Sequence, residues 1–367
     1  MRWIHLSLNT KVPTHAWGVL AWSERDVLRR CVELVPLTNP MGESSHINHR
    51  IRGWRARRRA SAALCGAIRG SLSADGPNVL EIQVASRVDL ACMLLLEPVW
   101  DLFSRRIANI IDAIHFDGRG DGVLQRFDRV YCFCEDNGRA LESSSGVPVH
   151  VRRSCINALD FHWVGDARPI DMIVVGRRHW DVHGSLSAHY NAPENGRLYL
   201  DFSTRPQAAS TPESEWRLLM STYARSRVAM CFEPSNIGRF HGRSPLTSRW
   251  LQAWAAGCTV VGRRPTGRGV AGSIDWPEST LEIPPDSIEW IPFLEEILND
   301  QEGLDRRRRR NVLEALRRFD TRTRLAEVLA DLGLDPTESH RRELERLRAT
   351  IARYEAVFGM PPMPTAG

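Results

Sequence analysis

The sequence predicts a two-domain α/β protein in which helices cover parallel sheets. The first observation is length, because 367 residues exceed what one ordinary core needs and suit two domains of about 150 to 200 residues. The second is the alternation of short apolar runs with helical stretches, which is typical of parallel sheets. The third is a segment at residues 227–262 that reads as strand, loop, helix and strand, the order of a βαβ unit.

The first half of the chain alternates predicted strands and helices. The strands are expected at residues 3–8, 79–84, 110–114, 129–133 and 147–151, with helices at 24–31 and 136–143 among them. We therefore expect residues 1–160 to form one Rossmann-like domain, followed by a linker at 161–169 that contains Gly165 and Pro169.

A second α/β series follows the linker and predicts a domain at residues 170–335. Its expected strands are 170–175, 197–201, 228–232 and 258–261, with a helix at 212–223. The arginine run at 306–310 lies in a predicted helix and is expected to be a solvated face. Residues 336–367 are predicted to hold a terminal helix at 338–358, with apolar residues at three- and four-residue spacing, and a loose Pro-rich tail.

The helix in the 227–262 segment predicts an anion site. Ser244 before Pro245 has the form of an N-cap followed by the first helical position, and Gly257 is typical of a helix end. The start of a helix offers free backbone N–H groups and partial positive charge. Both suit a phosphate or a diphosphate.

Two segments resemble the GT-B glycosyltransferases. Residues 244–262, SPLTSRWLQAWAAGCTVVG, are similar to the donor-site helix that runs through Ala-x-Ala-x-Gly into an apolar strand, and residues 128–161 are similar to the close of the first domain. The resemblance implies two Rossmann-like domains whose parallel sheets face each other across a cleft, with a C-terminal helix returning to the first domain. It also implies a nucleoside-diphosphate sugar donor in the second half and an acceptor in the first.

The same resemblance brings a departure. Many retaining members carry two glutamates eight positions apart, whereas the equivalent positions here are Ser244 and Gln252. Neither side chain supplies a negative charge, so inversion and retention both stay open.

Candidate donor-binding residues fall into two groups. Gly176, Arg177 and Arg178 follow the strand at 170–175, where α/β sheets bind ligands and where the resemblance implies contacts to the donor phosphates. The second group lies around the predicted helix start and comprises Arg243, Ser244, Thr247, Arg249 and Gln252. Arginines and hydroxyls of this kind can stabilise charge on a leaving diphosphate.

The candidates for the base that deprotonates the acceptor are Asp112 and His115, at a predicted strand end in the first half. No metal or bound cofactor is expected, since the chain has no Asp-x-Asp triplet and the sugar nucleotide is itself the substrate. Residues 267–272 match a dinucleotide-binding fingerprint only as letters, because no strand precedes them directly. A dehydrogenase therefore ranks last.

Charge and hydropathy bear on partners and location. The net charge is +5, but Lys11 is the only lysine, and such an arginine excess is typical of a GC-rich genome, so nucleic acid is not the expected partner. The basic patch at 49–59 could instead contact an anionic membrane surface. With no apolar run of about 18 residues and no secretory signal, a cytoplasmic protein is expected. Two alternatives stay open: a non-catalytic GT-B-like nucleotide-binding or partner protein, and a nucleic-acid-binding or nucleic-acid-modifying protein.

Overall fold

The computed structural model describes residues 1–7, 16–38, 52–84, 87–90, 92–111, 121–162, 165, 167–176, 178–202, 211–235, 240 and 242–360. The chain divides into two compact units. Unit 1 comprises residues 1–153 and 325–343, and unit 2 comprises residues 154–324 and 344–367.

Eleven strands are described. They are β1 (Arg2–Ser7), β2 (Glu33–Thr38), β3 (Asn78–Val84), β4 (Arg105–Ile110), β5 (Arg129–Cys132), β6 (Val149–Val151), β7 (Ile170–Val174), β8 (Tyr199–Asp201), β9 (Ser226–Phe232), β10 (Thr259–Arg263) and β11 (Leu281–Glu282). The first six form a parallel sheet in unit 1, in the order β2-β1-β3-β4-β5-β6. The other five form a parallel sheet in unit 2, in the order β11-β10-β9-β7-β8.

The described α-helices are α1 (Ala16–Cys31), α2 (Arg52–Arg69), α3 (Arg87–Leu90), α4 (Met93–Leu96), α5 (Glu135–Ser145), α6 (Ala158–Phe161), α7 (Trp180–Tyr190), α8 (Pro212–Ala224), α9 (Ser248–Ala255), α10 (Trp290–Asn299), α11 (Gln301–Phe319), α12 (Thr321–Asp331) and α13 (Glu338–Phe358). Within the described ranges no helix is both long and apolar enough to cross a bilayer.

The sheet of unit 1 is covered on both faces, since alternate side chains of a strand point to opposite sides. Ile4 and Leu80 on one face pack with Leu64 and Ile68 of α2. On the other face the buried side chains come from four strands and two helices: Trp3, Val79, Ile107, Tyr131, Val27 and Leu28 of α1, and Leu325, Val328, Leu329 and Leu332 of α12. The core of unit 1 therefore includes a helix from the far end of the chain.

The three inner strands of the sheet in unit 2, β7, β9 and β10, are mainly apolar and almost entirely buried, as is typical of parallel sheets. Met172 and Val228 of its central strands pack with Leu186 of α7 and Leu294 of α10. The C-terminal half of α13 also belongs to this unit, where the Tyr354 hydroxyl lies 2.8 Å from His162 Nε2. The segment that joins unit 1 is thus residues 325–343, which hold most of α12 and the first residues of α13.

Two sequence expectations need correction here. The fourth strand lies at Arg105–Ile110, earlier than the predicted 110–114. The arginine run in α11 is not simply a solvated face, since Arg307 and Arg308 are only 5% and 6% exposed. Arg307 donates to Glu278 Oε1 at 2.8 Å, and Arg308 donates to the carbonyl oxygen of Gly165 at 2.8 Å. Neighbouring segments cover this side of α11, and arginine can be buried there because its N–H groups find acceptors.

Candidate functional site

The candidate site lies at the carboxyl edge of the sheet in unit 2. Strands β7, β9 and β10 are parallel, so their carboxyl ends meet at one edge, the edge where open α/β sheets bind ligands. Directly after β7 the chain turns at Gly176, whose φ of +74° is a left-handed conformation that favours glycine.

Arg249 on the first turn of α9 reaches this turn. A Cβ atom built on Gly176 would stand 3.0 Å from Nη2 of Arg249 and 3.4 Å from its Cζ. The guanidinium group therefore packs against the bare backbone of residue 176. Its positive charge also reaches a buried thiol. Burial raises the pKa of Cys231 to about 12, and the charge of Arg249 limits that rise. The structure thus brings together two residues that the sequence predicted separately.

The predicted start of the donor-site helix is wrong. α9 begins at Ser248, with Thr247 as its N-cap in extended conformation (φ −102°, ψ 162°). Ser244 has a different role: its Oγ accepts a hydrogen bond from Thr266 N at 3.0 Å, and its carbonyl oxygen accepts one from Gly267 N at 2.8 Å. Ser244 therefore fastens the loop that follows β10, and Pro245 lies in the segment between Ser244 and the helix.

At the start of α9 one buried hydroxyl makes no hydrogen bond to any described residue. The Thr247 side chain makes no capping hydrogen bond, and its buried Oγ1 has no partner in the described part of the chain. A helix start with an unused hydroxyl beside an arginine is suited to an anion. Gln252, one turn further along, is 5% exposed.

Arg178 makes an ion pair of its own with Asp201. Its Nε donates to Asp201 Oδ2 at 2.6 Å, at the end of β8, and its guanidinium lies 5.2 Å from the centre of the Trp180 ring. Asp201 also lies 3.5 Å from Nε2 of His183. Arg178 is therefore at the predicted edge of the sheet, but its charge is already paired.

The structure describes only some of the other predicted site residues. Arg243 is partly exposed and its backbone N–H donates to the carbonyl oxygen of Phe240. Arg177, Asp112 and His115 lie outside the described residues, as do residues 49–51 of the basic patch, whose other residues form the start of α2. Across the described ranges, no group of three or more His, Cys, Asp or Glu side chains is arranged to hold a metal ion.

Glu233 is a polar residue at this edge that the sequence analysis missed. It follows β9 directly, and its carboxylate accepts hydrogen bonds from Ser235 N at 2.7 Å and from Ser235 Oγ at 2.5 Å. A negative charge is thus held in a defined place at the carboxyl end of a central strand. The signal was available, because Glu233 is the first charged residue after the apolar run that ends at Phe232.

Solved structures resemble the chain over most of its length. An alpha-glucosyltransferase bound to UDP and to a 13-mer DNA containing an HMU base is 11% identical, with a TM-score of 0.57 over 91% of this chain and 99% of that one. HepE of Anabaena, bound to UDP and glucose, is 11% identical, with a TM-score of 0.54 over 90% and 99%. The N-terminal domain of trehalose-6-phosphate phosphatase from Candida albicans is 9% identical, with a TM-score of 0.54 over 90% and 96%.

The chain has the GT-B fold. This confirms the fold that the sequence predicted from residues 128–161 and 244–262. No protein-family model and no curated protein sequence matches the chain. At identities of 9 to 11% these likenesses are likenesses of fold, so the chemistry of the GT-B chain has to be argued from its own residues.

Proposed function

We propose that the protein transfers a sugar from a nucleoside-diphosphate sugar to a hydroxyl group of a small-molecule or glycan acceptor. The observation that carries the proposal is the packing of Arg249 against Gly176 beside the start of α9. Preorganised positive charge at this edge is what a departing diphosphate needs. The GT-B fold, and the presence of UDP in two of the similar structures, agree with this role.

Each residue of the site then has a defined task. The Arg249 guanidinium pairs with the negatively charged diphosphate, and Thr247 Oγ1 donates a hydrogen bond to a phosphate oxygen. Gly176 lets a phosphate approach the backbone. Gln252, as a neutral group, bonds a ribose hydroxyl, and Ser244 contributes by fixing the loop at Thr266. Arg177, Arg178 and Arg243 remain proposed donor-site residues, and Asp112 and His115 remain the proposed candidates for the base.

Glu233 supplies the negative charge that Ser244 and Gln252 lack. Because Ser235 fixes both of its carboxylate oxygens, the group can accept a hydroxyl of the donor sugar or ribose without first being ordered. We propose that the reaction needs no metal ion, with Arg249 and the start of α9 meeting the charge on the leaving group. This assignment is compatible with either inversion or retention.

The proposal is tested by thermal unfolding with UDP, GDP, dTDP, ADP and CDP, each with magnesium and with EDTA. A nucleotide at a hundredfold excess over its Kd should stabilise the protein by about 2.7 kcal/mol and raise the midpoint. The rise should disappear in Arg249→Met and persist in Arg217→Met, whose side chain is 61% exposed on α8. If no nucleotide moves the midpoint, or if Arg249→Met responds like the wild type, the donor site is not here.

A non-catalytic nucleotide-binding protein is the first alternative, and the replacement of both glutamates by Ser244 and Gln252 favours it. Release of UDP from UDP-glucose separates the two readings if UDP proves to be the nucleotide that binds. Slow hydrolysis without an acceptor fits a transferase, whereas tight binding with no turnover fits a binding protein.

A nucleic-acid-modifying protein is the second alternative. It is favoured by the net charge of +5 and by the DNA bound in one similar structure. Binding to random duplex DNA that falls steeply with salt would support it. Binding that is weak at low salt would leave the small-molecule or glycan acceptor.

A further inference from the structure

A buried polar cluster lies within unit 1 and includes none of the proposed donor-site residues. It occupies the face of the sheet that packs against α1, near the carboxyl ends of the strands, and α1 contributes two of its members. We refer to it as the His5 cluster; its hydrogen-bonded members are His5, Glu24, Glu81, Gln83, Asn109 and Arg152, and we count with them the buried Ser23, which precedes Glu24 on α1. It is unusual to find so many polar side chains together inside a sheet domain.

Glu81 organises the cluster. It is 1% exposed, and its two oxygens accept four hydrogen bonds, from Trp3 Nε1 at 2.9 Å, His5 Nδ1 at 3.2 Å, Asn109 Nδ2 at 3.1 Å and Arg152 Nη1 at 2.9 Å. Arg152 also donates to Glu24 Oε1 at 2.5 Å. Since an ionised carboxylate can only accept, the proton of a neutral His5 ring is on Nδ1, and Nε2 carries a lone pair.

Three buried atoms of the His5 cluster have no hydrogen-bond partner among the residues that the structure describes. They are His5 Nε2, Gln83 Oε1 and Ser23 Oγ, on side chains that are 0%, 2% and 2% exposed. The Gln83 amide is oriented by its Nε2, which donates to Glu24 Oε2 at 3.4 Å, so its oxygen is left over. Leaving a single such atom unpaired is costly, and leaving three in one cluster indicates that a ligand supplies the missing partners.

The chemistry of the three atoms selects the ligand. Two of them, His5 Nε2 and Gln83 Oε1, are acceptors that need a donor, and Ser23 Oγ can donate or accept. The charged members are Glu24, Glu81 and Arg152, so with a neutral His5 the cluster carries one net negative charge and disfavours an anion. Hydroxyl groups on adjacent carbons, as in a sugar, supply donors and acceptors without charge.

We propose that the His5 cluster binds the hydroxyl groups of a neutral carbohydrate. One hydroxyl donates to His5 Nε2, a second donates to Gln83 Oε1, and Ser23 Oγ completes the contacts. A ligand reaches the cluster from the side of Glu24 and Arg152, whose side chains are 17% and 9% exposed. If the proposed transfer reaction is right, this carbohydrate is the acceptor, and only that last assignment rests on the proposed function.

The binding site is tested by NMR on the full chain labelled with ¹⁵N-histidine. The chain has twelve histidines, and His5→Gln identifies the His5 signals by their loss. We expect a non-protonated Nε2 whose signal moves saturably with at least one of D-glucose, D-galactose, D-mannose and N-acetylglucosamine, but not with inorganic phosphate. The proposal is overturned if none of the four sugars moves the signal, or if phosphate moves it instead.

A pair of variants tests the second contact. Gln83→Leu removes Oε1 and should weaken sugar binding about tenfold, whereas Gln125→Leu, at an exposed position of the same unit, should bind like the wild type. Sugar binding that is unchanged in Gln83→Leu would count against the site. If that variant does not fold, the wild-type titration decides.

The two proposals fail separately. Nucleotide-dependent stabilisation should persist in Gln83→Leu, since the donor site belongs to unit 2. A protein that binds a sugar at His5 but no nucleotide keeps the carbohydrate site and loses the transferase role. A protein that binds nucleotide but no sugar at His5 loses the carbohydrate site alone.

Discussion

Gly262 in β10 lies directly opposite Cys231 in β9, and a Cβ atom on Gly262 would stand only 1.9 Å from the carbonyl oxygen of Cys231. The φ of Gly262 is +151°, a conformation that other residues rarely adopt. The two central strands of unit 2 therefore approach one another only because residue 262 has no side chain.

Gly262→Ala should destabilise unit 2 by about 3 kcal/mol or more, since it adds both a clash with backbone and an unfavourable conformation. Urea denaturation measures the loss. Gly272→Ala is the matched control, because no described atom lies within 4 Å of its added Cβ, and it should stay within about 0.5 kcal/mol of the wild type. Equal stabilities of the two variants would contradict the argument.

Gly176→Ala should weaken nucleotide binding while lowering the stability of the fold only slightly. The added Cβ pushes on Arg249, and the left-handed backbone at +74° adds strain of about 1 kcal/mol. We expect nucleoside-diphosphate binding to weaken roughly tenfold by calorimetry, as for the loss of one charge-assisted contact.

Gly146→Ala is the control for Gly176→Ala. Gly146 has a similar φ of +69°, and no described atom lies within 4 Å of its added Cβ, so this variant carries the strain without the displaced arginine. A Gly176→Ala protein that binds nucleotide as well as Gly146→Ala does would show that Arg249 plays no part.

The sequence predicted the strands of unit 2 well, because β7, β9 and β10 are continuous apolar runs that end in turn residues. It missed β2, which lies at the edge of its sheet, includes Pro36, and shows no clear alternation of apolar residues. It also placed the start of α9 too early. Ser244-Pro245 has the local form of a helix cap, but Ser244 bonds to Thr266, and nothing in the local sequence predicts that partner.

The site was only partly predictable, because local sequence patterns do not show which distant residues will be in contact. The turn at Gly176 and the first turn of α9 each have a local pattern, so Gly176 and Arg249 could be named separately. Their contact joins two segments that are far apart in the sequence, and only the parallel sheet brings them together. The His5 cluster was missed because its members alternate with apolar residues in strands, where polar side chains are usually expected to face solvent.

Arg307 and Arg309 provide a test within one arginine run. Arg307 is buried and donates to Glu278 and Asp300, whereas Arg309 is exposed. Arg307→Met should lower the free energy of unfolding by about 2 kcal/mol, because it removes a buried guanidinium group that donates to two carboxylates. Arg309→Met should change it by less than about 0.5 kcal/mol in the same urea experiment. Similar losses in both variants would mean that the run is uniformly solvated.

Glu81 should make the stability of unit 1 depend on pH. Burial alone would raise the pKa of Glu81, but the Arg152 charge and the His5 hydrogen bond outweigh it and hold the pKa well below its usual value of 4.5. The folded protein therefore binds fewer protons at this site than the unfolded chain does. Its contribution to stability is complete above about pH 5 and is lost as the pH falls below that.

The Glu81 effect is isolated by comparing two variants at pH 7 and at about pH 4. Glu81→Gln should be less stable than the wild type by about 3 kcal/mol at pH 7, because Arg152 loses a buried partner, and should lose less on acidification. Glu142→Gln, at an exposed position of α5 in the same unit, should follow the wild type at both pH values. If Glu81→Gln loses as much stability between pH 7 and about pH 4 as the wild type does, the acid sensitivity comes from other groups.

The place of α12 in unit 1 has a consequence for how the protein is made. Leu325, Val328, Leu329 and Leu332 cover a face of the sheet that begins with Trp3 in β1. At the usual pace of translation, roughly ten to forty seconds pass between the emergence of residue 153 and that of Leu332. During that interval every strand of unit 2 is synthesised. The apolar face of the unit 1 sheet that α12 later covers remains exposed throughout. The unit that begins first on the ribosome therefore cannot close its core until every strand of unit 2 has been made, and its open face offers a binding surface to chaperones in the meantime.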